Sequence, residues 1–389
     1  PPAVPTPSPT AAANVFNPAM SLILSGGYVR SSQDPASYRI RGVALPADAE
    51  VGPGSRGFSL AESELGLSAS IDPWWRGAAN IALHPDNAVS VEEAYVQTTA
   101  LGQGLTVKAG RFLSSVGYLN SQHAHTWDFA DNPLAYQALL GTQYGDDGVQ
   151  LQWLAPTDLY LALNAELGRG RGFPGSDSGR NGAGMKALAL HAGGDWGDSH
   201  SWRAGVSVLN TQATDLAWVA GGGASAELPQ RFSGRSRVWV ADAVWKWAPN
   251  GNATRTSFKL QGELLRSTHD GSVVDDAGAA GAYRAAQSGW YLQGIYQFMP
   301  SWRVGLRTER LNLGSVVDGS SGSAANLTAG LRQPSKHTLM LDYSPSEFSR
   351  LRLQVAQDRA RADAPGTGAD RQITLQYQMS LGAHGAHSY

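Results

Sequence analysis

Hydrophobic and polar residues alternate with a period of two along most of this chain. In QITLQYQMSL (372–381) every apolar side chain falls on an odd position and every polar one on an even position. In FSRLRLQVAQDRA (348–360), Leu351, Leu353 and Val355 alternate with polar residues. A strand turns successive side chains to opposite faces, so this pattern predicts strands with one apolar face and one polar face.

Sixteen such runs can be counted, and each predicts a strand. They lie near 19–30, 58–72, 75–84, 91–100, 105–113, 148–156, 159–168, 185–194, 201–211, 237–248, 255–268, 288–298, 301–312, 336–345, 348–360 and 371–382. The connections alternate between short turns and longer segments. The short ones include DPWW, LGQG, APTD and MPS, and the long ones are 31–57, 114–147, 169–184, 212–236, 269–287 and 313–335.

An even number of alternating strands, with short turns at one end and long loops at the other, is typical of barrels in the bacterial outer membrane. We therefore predict an all-β fold, a transmembrane antiparallel up-and-down β-barrel of about 16 strands. Tryptophans beside the short turns, such as Trp74, Trp202 and Trp302, are consistent with an interfacial aromatic belt. A soluble sandwich is the alternative, but it rarely needs sixteen strands in one unit.

Composition narrows the class further. The absence of cysteine excludes a disulfide scaffold, a thiol nucleophile, a thiolate zinc site and a lipid-anchored cysteine. There is no run of 18 apolar residues, and the net charge of −2 favours neither nucleic acid nor anionic lipid as a partner. We expect a flexible Pro/Ala-rich segment over residues 1–18, a single barrel domain over 19–389, and a leader peptide removed before residue 1.

A barrel of this size turns its polar face toward an aqueous lumen. The predicted lumen wall includes charges of both signs, on Glu62, Glu64, Lys108, Arg303, Arg307, Arg350 and Arg352. Such a wall would carry a transverse field rather than act as a filter of one sign. The simpler interpretation is that these charges solvate the lumen and pair across it.

The segment 114–147 is the third long connection, and it has four Asp, two His and no Lys or Arg. Its apolar residues, including Trp127 and Tyr136, favour a loop folded into the lumen rather than one exposed to water. That placement would put Asp128, Asp131, Asp146, Asp147, His123 and His125 at a constriction. Carboxylates at a constriction favour cations.

Histidine is a common metal ligand, so His123 and His125 also suggest a metal site. Neutral imidazole binds zinc, copper or nickel, and Asp128 could add an oxygen ligand. Histidines two residues apart on a loop are common, however, and a purely structural or hydrogen-bonding role is the alternative.

The segment 91–156 resembles the phosphate-selective porin family. The similar features are VEEAYV, the Gly turn LGQG, the strand end GRF, a long third loop and the restart DDGVQL. The resemblance implies a homotrimer of 16-stranded barrels that conducts small solutes. It does not imply phosphate selectivity, because that family lines its constriction with Lys and Arg and this third loop has neither.

The leading hypothesis is a passive outer-membrane channel for small hydrophilic solutes or ions, constricted by residues 114–147 and cation-leaning or weakly selective. Its expected partners are outer-membrane lipid, lipopolysaccharide and a solute, with no cofactor, enzymatic activity or nucleic acid. Three alternatives are a barrel dedicated to a metal such as zinc, an outer-membrane barrel enzyme, and an adhesin or purely structural barrel. The chain has no GxSxG or HExxH motif, which disfavours the enzyme.

Overall fold

A computed structural model describes residues 18–177, 179, 181–220, 228–320, 326–362 and 368–382. All but one residue of the predicted N-terminal segment 1–18 lie outside this range. Within it the chain forms one antiparallel sheet that closes on itself, because the first strand pairs with the last. No helix in the described part of the chain is long and apolar enough to cross a membrane.

The strands follow one another around the sheet in chain order. They are β1 (Ala19–Ser31), β2 (Ala44–Leu45), β3 (Gly57–Leu60), β4 (Ser63–Ser70), β5 (Trp75–Leu83), β6 (Val89–Thr98), β7 (Leu105–Leu113), β8 (Gly145–Leu154), β9 (Tyr160–Gly168), β10 (Met185–Trp196), β11 (His200–Ala220), β12 (Leu228–Trp247), β13 (Ser257–Asp275), β14 (Ala280–Met299), β15 (Trp302–Asp318), β16 (Ser335–Ser346), β17 (Ser349–Asp358) and β18 (Asp370–Gly382).

The closed wall has sixteen strands, as the alternation predicts. β3 and β4 are two parts of one wall strand, since both pair with β1, and β2 is a two-residue bridge to the far end of β11. Tight turns connect the strands at one end of the barrel, which we call the short-turn end. The longer connections leave from the opposite, long-loop end.

The outward face of the wall is apolar over the part nearer the short turns. Large side chains point away from the barrel and stay exposed on every side of it, among them Leu188, Val206, Trp239, Leu264, Leu292, Leu306, Leu339, Leu353 and Leu375. The alternate residues point inward and are mostly polar, as at Gln261, Gln293 and Gln354. The period of two in the sequence therefore corresponds to an apolar exterior and a polar interior.

The strands β11 to β15 continue well beyond the runs predicted for them, into segments that the sequence assigned to loops 212–236, 269–287 and 313–335. In these extensions the two faces exchange polarity. Trp218, Phe232, Val273 and Tyr283 point inward and pack together, whereas Asp270 and Arg284 point outward. The predicted strand ends were wrong because they assumed that the apolar face stays outside along the whole strand.

Candidate functional site

The long connection after β7 folds into the barrel and crosses its interior. Its backbone is first held by Glu166 of β9, which accepts from Ser115 N at 2.8 Å. It is next held by Glu263 of β13, which accepts from Tyr118 N and Leu119 N at 2.9 and 3.0 Å. Wall carboxylates thus bind the amides that an irregular backbone leaves unpaired, as buried amides require. The loop covers residues 114–144, because β8 begins at Gly145.

A short helix, α1 (Leu134–Leu140), docks the loop against the wall strands β13 to β15. All seven of its residues are buried, and Gly141 ends it in the left-handed conformation that favours glycine. Tyr136 is fully buried and donates from its hydroxyl to Glu263 at 2.8 Å. Tyr136 is therefore part of the packing that holds the loop, not a residue exposed at a constriction.

Asp128 and Asp131 face a row of basic side chains on β13 to β16. Asp128 pairs with Lys259 at 2.5 Å and with Arg303 at 3.1 Å. Asp131 pairs with Arg307 at 2.8 Å and with Lys336 at 2.5 Å. Burial alone would raise the pKa of both carboxyls, but these neighbouring cations lower it well below the usual value. The charge of each aspartate is thus compensated where it lies.

Two further wall arginines bind the loop backbone. Arg350 donates to the carbonyl of His125 at 2.6 Å, and Arg352 donates to the carbonyl of Trp127 at 3.0 Å. The side chain of Trp127 is buried and donates from its indole to Gln122 O at 3.0 Å. Among the predicted wall residues, Arg303, Arg307, Arg350 and Arg352 therefore all contact the loop.

Asp146 and Asp147 belong to β8 and not to the loop, which corrects the predicted boundary at residue 147. Asp146 is buried and accepts from Arg171 N and the hydroxyl of Tyr144, both at 3.2 Å. Asp147 pairs with Arg111 on the neighbouring strand at 2.6 Å. The structure does not bring either residue to the row formed by Asp128 and Asp131.

His123 and His125 lie at the opposite tip of the loop, against carboxylates of β4 and β6. His123 Nδ1 is 3.1 Å from Glu92 and 3.3 Å from Glu64, and its Nε2 is 3.0 Å from Glu93. His125 Nδ1 is 2.8 Å from Glu64. Burial lowers the pKa of His123, but the hydrogen bonds to Glu92 and Glu93 and the charge of Glu64 raise it to about 11.

The sequence reasoning missed Glu92 and Glu93 as a pair of inward-facing carboxylates. Strict alternation would put them on opposite faces of β6. The register between β5 and β6 shifts at this point, so that Asn80 lies opposite Glu93 and Ile81 lies opposite Val91. The extra residue, Glu92, forms a β-bulge, and bulges redirect side chains in this way.

The first long connection, residues 32–56, also enters the barrel, which the sequence did not predict. Tyr38, Ile40, Val43 and Leu45 are buried in the same apolar cluster as α1. Tyr38 donates from its hydroxyl to Asp358 of β17 at 2.8 Å. The apolar run at 38–45 within a connection was the available signal, because a solvated loop has no need of it.

The remaining predicted wall residues complete an uneven charge distribution. Glu62 and Glu64 lie with Glu92 and Glu93 around the loop tip. Lys108, Arg203, Lys246 and Arg350 make no ion pair with any carboxylate in the described ranges. Lys108 lies instead over the ring of Tyr95, 4.4 Å from its centroid. The interior thus has an acidic cluster at the loop tip and bases without an ion-pair partner elsewhere on the described wall.

The fold is similar to that of solved outer-membrane porins and channels. An anion-selective porin from Comamonas acidovorans matches with a TM-score of 0.53 at 11% identity, over 94% of this chain and 99% of that one. The channel DcaP of Acinetobacter baumannii matches with 0.52 at 12%, over 94% and 96%. A loop-deletion mutant of OmpT, an outer membrane protein of Vibrio cholerae, matches with 0.52 at 10%, over 93% and 100%. At these identities the similarity establishes the fold and not the activity.

No model of a protein family matches the chain, so the resemblance to phosphate-selective porins stays an expectation. In sequence, the chain is 30% identical over 396 residues to an uncharacterized protein of Aquifex aeolicus strain VF5. The match covers 96% of this chain and 80% of that protein. The chain therefore belongs to the same family as this Aquifex protein and has the 16-stranded barrel fold of the outer-membrane porins.

Proposed function

We propose that the protein is a porin of the bacterial outer membrane, a water-filled channel for passive diffusion of small hydrophilic solutes or ions. The observation that carries the proposal is the combination of a closed 16-stranded wall, an apolar exterior and a charged interior into which one long loop is folded. A barrel of this size can leave an aqueous path, and a polar lumen suits the passage of water and hydrophilic solutes.

The exterior supports a membrane location. The apolar band of outward-facing side chains suits lipid, and an exposed polar zone follows it toward the long-loop end. That zone includes outward-facing Lys186, Arg235 and Arg237. Basic groups just above a lipid-facing band would meet the phosphates of outer-membrane lipid or lipopolysaccharide, which we take as the lipid partner.

The loop 114–144 is the proposed constriction, joined by the segment 32–56. Both cross the interior and pack against β13 to β17, so they occupy that side of the lumen. The opposite wall is lined by smaller inward residues such as Ser21, Gly66 and Asn80. We place the solute path beside the loop tip at His123 and His125, along the wall at Ser21 and Gly66.

Selectivity in this proposal is set by the glutamates and not by Asp128 and Asp131, whose charges are paired. Glu62 and Glu92 keep side-chain exposures of 25% and 17% at the loop tip, and they favour cations. Lys108, Arg203, Lys246 and Arg350, which make no ion pair in the described ranges, act in the opposite sense. We expect a weak cation preference as the net result.

Single-channel recording in a planar bilayer tests the proposal. The protein should show steady current steps, and the reversal potential in a KCl gradient should have the sign of a cation preference. Replacing Glu62 and Glu92 by Gln should reduce that preference. Asp147→Asn removes one carboxylate outside the proposed path and should leave the preference unchanged. Absence of current would contradict the channel, and anion preference would contradict the assigned role of the glutamates.

The enzyme alternative has one observation to consider. Ser90 Oγ lies 2.7 Å from His84 Nε2, as in a serine hydrolase. However, Glu50 and Glu62 are each 3.8 Å from His84 Nδ1, beyond hydrogen-bond distance, so neither orients the imidazole. The geometry favours a channel over a hydrolase.

A further inference from the structure

Three ligand atoms at the loop tip have the spacing of a metal site. His123 Nδ1 lies 3.3 Å from Glu64 Oε2 and 3.1 Å from Glu92 Oε2, and the ligand atoms of the three side chains all lie within 4.8 Å of one another. Ligands about 2.0–2.1 Å from a tetrahedral metal ion are about 3.3 Å apart. A single ion can therefore reach all three with little movement of the side chains.

The groups behind these atoms have the arrangement that supports metal ligands. A metal-binding imidazole usually donates its other N–H to a carboxylate. His123 Nε2 faces Glu93 at 3.0 Å, and Asn80 Nδ2 lies beside both groups, 2.9 Å from Nε2 and 3.3 Å from the carboxylate. With the proton on Nε2, the lone pair of Nδ1 is directed at Glu64 and Glu92. Two anionic oxygens and a lone pair face each other stably only around a proton or a cation.

The carboxylates around the loop tip outnumber the bases that pair with them. Glu50, Glu62, Glu64, Glu92 and Glu93 surround this corner of the lumen, and their ion-pair partners in the described chain are only His84, His123 and His125. Glu64 and Glu93 are buried, and buried carboxylates require compensation.

We propose that His123, Glu64 and Glu92 bind a divalent transition-metal ion of the Zn²⁺ class. One coordination position faces the lumen, because the side chains of His123 and Glu92 are each 17% exposed there. The oxygen of Glu64 that the ion does not use is held by His125 at 2.8 Å. The ion would join the loop tip to β4 and β6, and mixed nitrogen and oxygen ligands favour Zn²⁺ over Mg²⁺ or Ca²⁺.

Titration of the chelator-treated, detergent-folded barrel with Co²⁺ tests this site without a membrane. We expect one saturable Co²⁺ per chain, with the visible absorption of tetrahedral cobalt, displaced by Zn²⁺ and retained in excess Mg²⁺. His123→Ala and Glu92→Gln should each weaken binding at least tenfold. Glu92→Gln keeps the size of the side chain, and the migration of unheated protein on a gel verifies that each variant is folded.

Two other histidines provide controls. His337→Ala removes an exposed, outward-facing imidazole on β16 and should not change the titration. His84→Ala removes the centre of the looser group with Glu50 and Glu62, where both contacts are 3.8 Å, and should also bind Co²⁺ normally. Octahedral or non-saturable binding, unchanged affinity in His123→Ala and Glu92→Gln, or loss in His84→Ala alone would overturn the proposal.

This inference goes beyond the proposed function and can fail independently of it. A barrel that conducts ions but does not bind Co²⁺ would remove the metal site and leave the channel. A barrel that binds Co²⁺ at His123 but passes no current would exclude the channel and leave the metal site.

Discussion

The side chains that hold the loop in the barrel are charged, and their pairing is nearly complete. Asp131 shows this best, because its partners Arg307 and Lys336 are 1% and 2% exposed. Removing one member of a buried pair leaves the other charge uncompensated, which costs more than the intact pair contributes. Selection for a docked loop would therefore act on these residues together.

Asp131→Asn should destabilise the docked loop strongly. The change leaves the buried charges of Arg307 and Lys336 short of a counter-ion, which costs about 3–5 kcal/mol in comparable pairs. Hydrogen exchange of peptides from 114–144, followed by mass spectrometry, should show faster exchange than in the unchanged protein. The wall strands should retain their protection.

Asp215→Asn is the matched control for this substitution. Asp215 pairs with Arg231 at 2.8 Å, but the two side chains are 64% and 59% exposed. Exposed pairs contribute about 0–1 kcal/mol, so the exchange pattern should not change. Equal effects of the two variants would contradict the view that burial makes the loop pairs important.

Acid should release the loop at a pH set by the aspartates. The folded-state pKa of Asp128 and of Asp131 is lowered by their cationic neighbours, so their stabilising contribution is complete above the unfolded pKa of about 3.9 and is lost as pH falls below it. Exchange corrected for its intrinsic pH dependence should stay slow in 114–144 from pH 7 to 5 and rise below about pH 4. Release already at pH 6 would contradict this assignment.

At the scale of elements, the loop docks through α1 onto a glycine of the wall. A Cβ atom at Gly289 would lie 2.5 Å from Leu311 Cδ2 and 2.9 Å from Ala135 Cβ. The helix thus approaches β14 at a position where the strand has no side chain. Such close approach is a common reason for glycine within a strand.

Gly289→Val should loosen the loop while the barrel remains closed. Overpacking of this kind costs about 1–3 kcal/mol, and the helix can move away more easily than the wall. Single-channel conductance should rise, and exchange in 114–144 should speed up. Gly294→Val lies on the outward face of the same strand, where a Cβ would be 3.4 Å from Phe258, and should change neither.

The sequence was informative for elements whose two faces meet lipid and water. Alternation located all sixteen wall strands, and the apolar content of 118–140 indicated that the third loop turns inward. The alternation did not predict the structure in two places. The polarity of β11 to β15 inverts beyond the apolar band, and the bulge at Glu92 interrupts the alternation of β6. Neither feature has a local sequence signal as strong as the period of two.

The partners of the site residues required the closed barrel. Asp131 and Lys336 are separated by 205 positions, and Trp127 and Arg352 by 225. The composition of the loop predicted unpaired carboxylates at a constriction. This prediction was wrong for Asp128 and Asp131, because the cations that neutralise them lie on strands far away in the sequence. The sequence could therefore indicate which residues enter the lumen, but not which of their charges stay unpaired.

At the scale of the whole molecule, the interior carries charges of both signs in separate places. The glutamates of β4 and β6 cluster at the loop tip, whereas Lys108, Arg203, Lys246 and Arg350 lie on other strands. Such an arrangement attracts both cations and anions, so it is consistent with small ions or zwitterionic solutes. It does not resemble a lumen of one sign.

We expect the barrel to assemble as a homotrimer through the outside of β1 to β5. Phe58 and Leu60 on β3 are 88% and 60% exposed, so this short segment presents bulky apolar side chains that a neighbouring barrel can cover. Native mass spectrometry should give three times the chain mass of 41.1 kDa. Phe58→Ser should weaken the assembly, whereas Leu188→Ser on the opposite side of the barrel should not. A monomer in both cases would contradict this expectation.

The most direct test of the account is to modify one position in the proposed path while recording current. The chain has no cysteine, so Glu92→Cys introduces a single reactive thiol beside the loop tip. A bulky, water-soluble methanethiosulfonate should lower each single-channel step of this variant, and it should not affect Leu188→Cys on the lipid-facing side. Unchanged steps after verified modification of Glu92→Cys, or no channel activity at all, would contradict a solute path beside the loop tip.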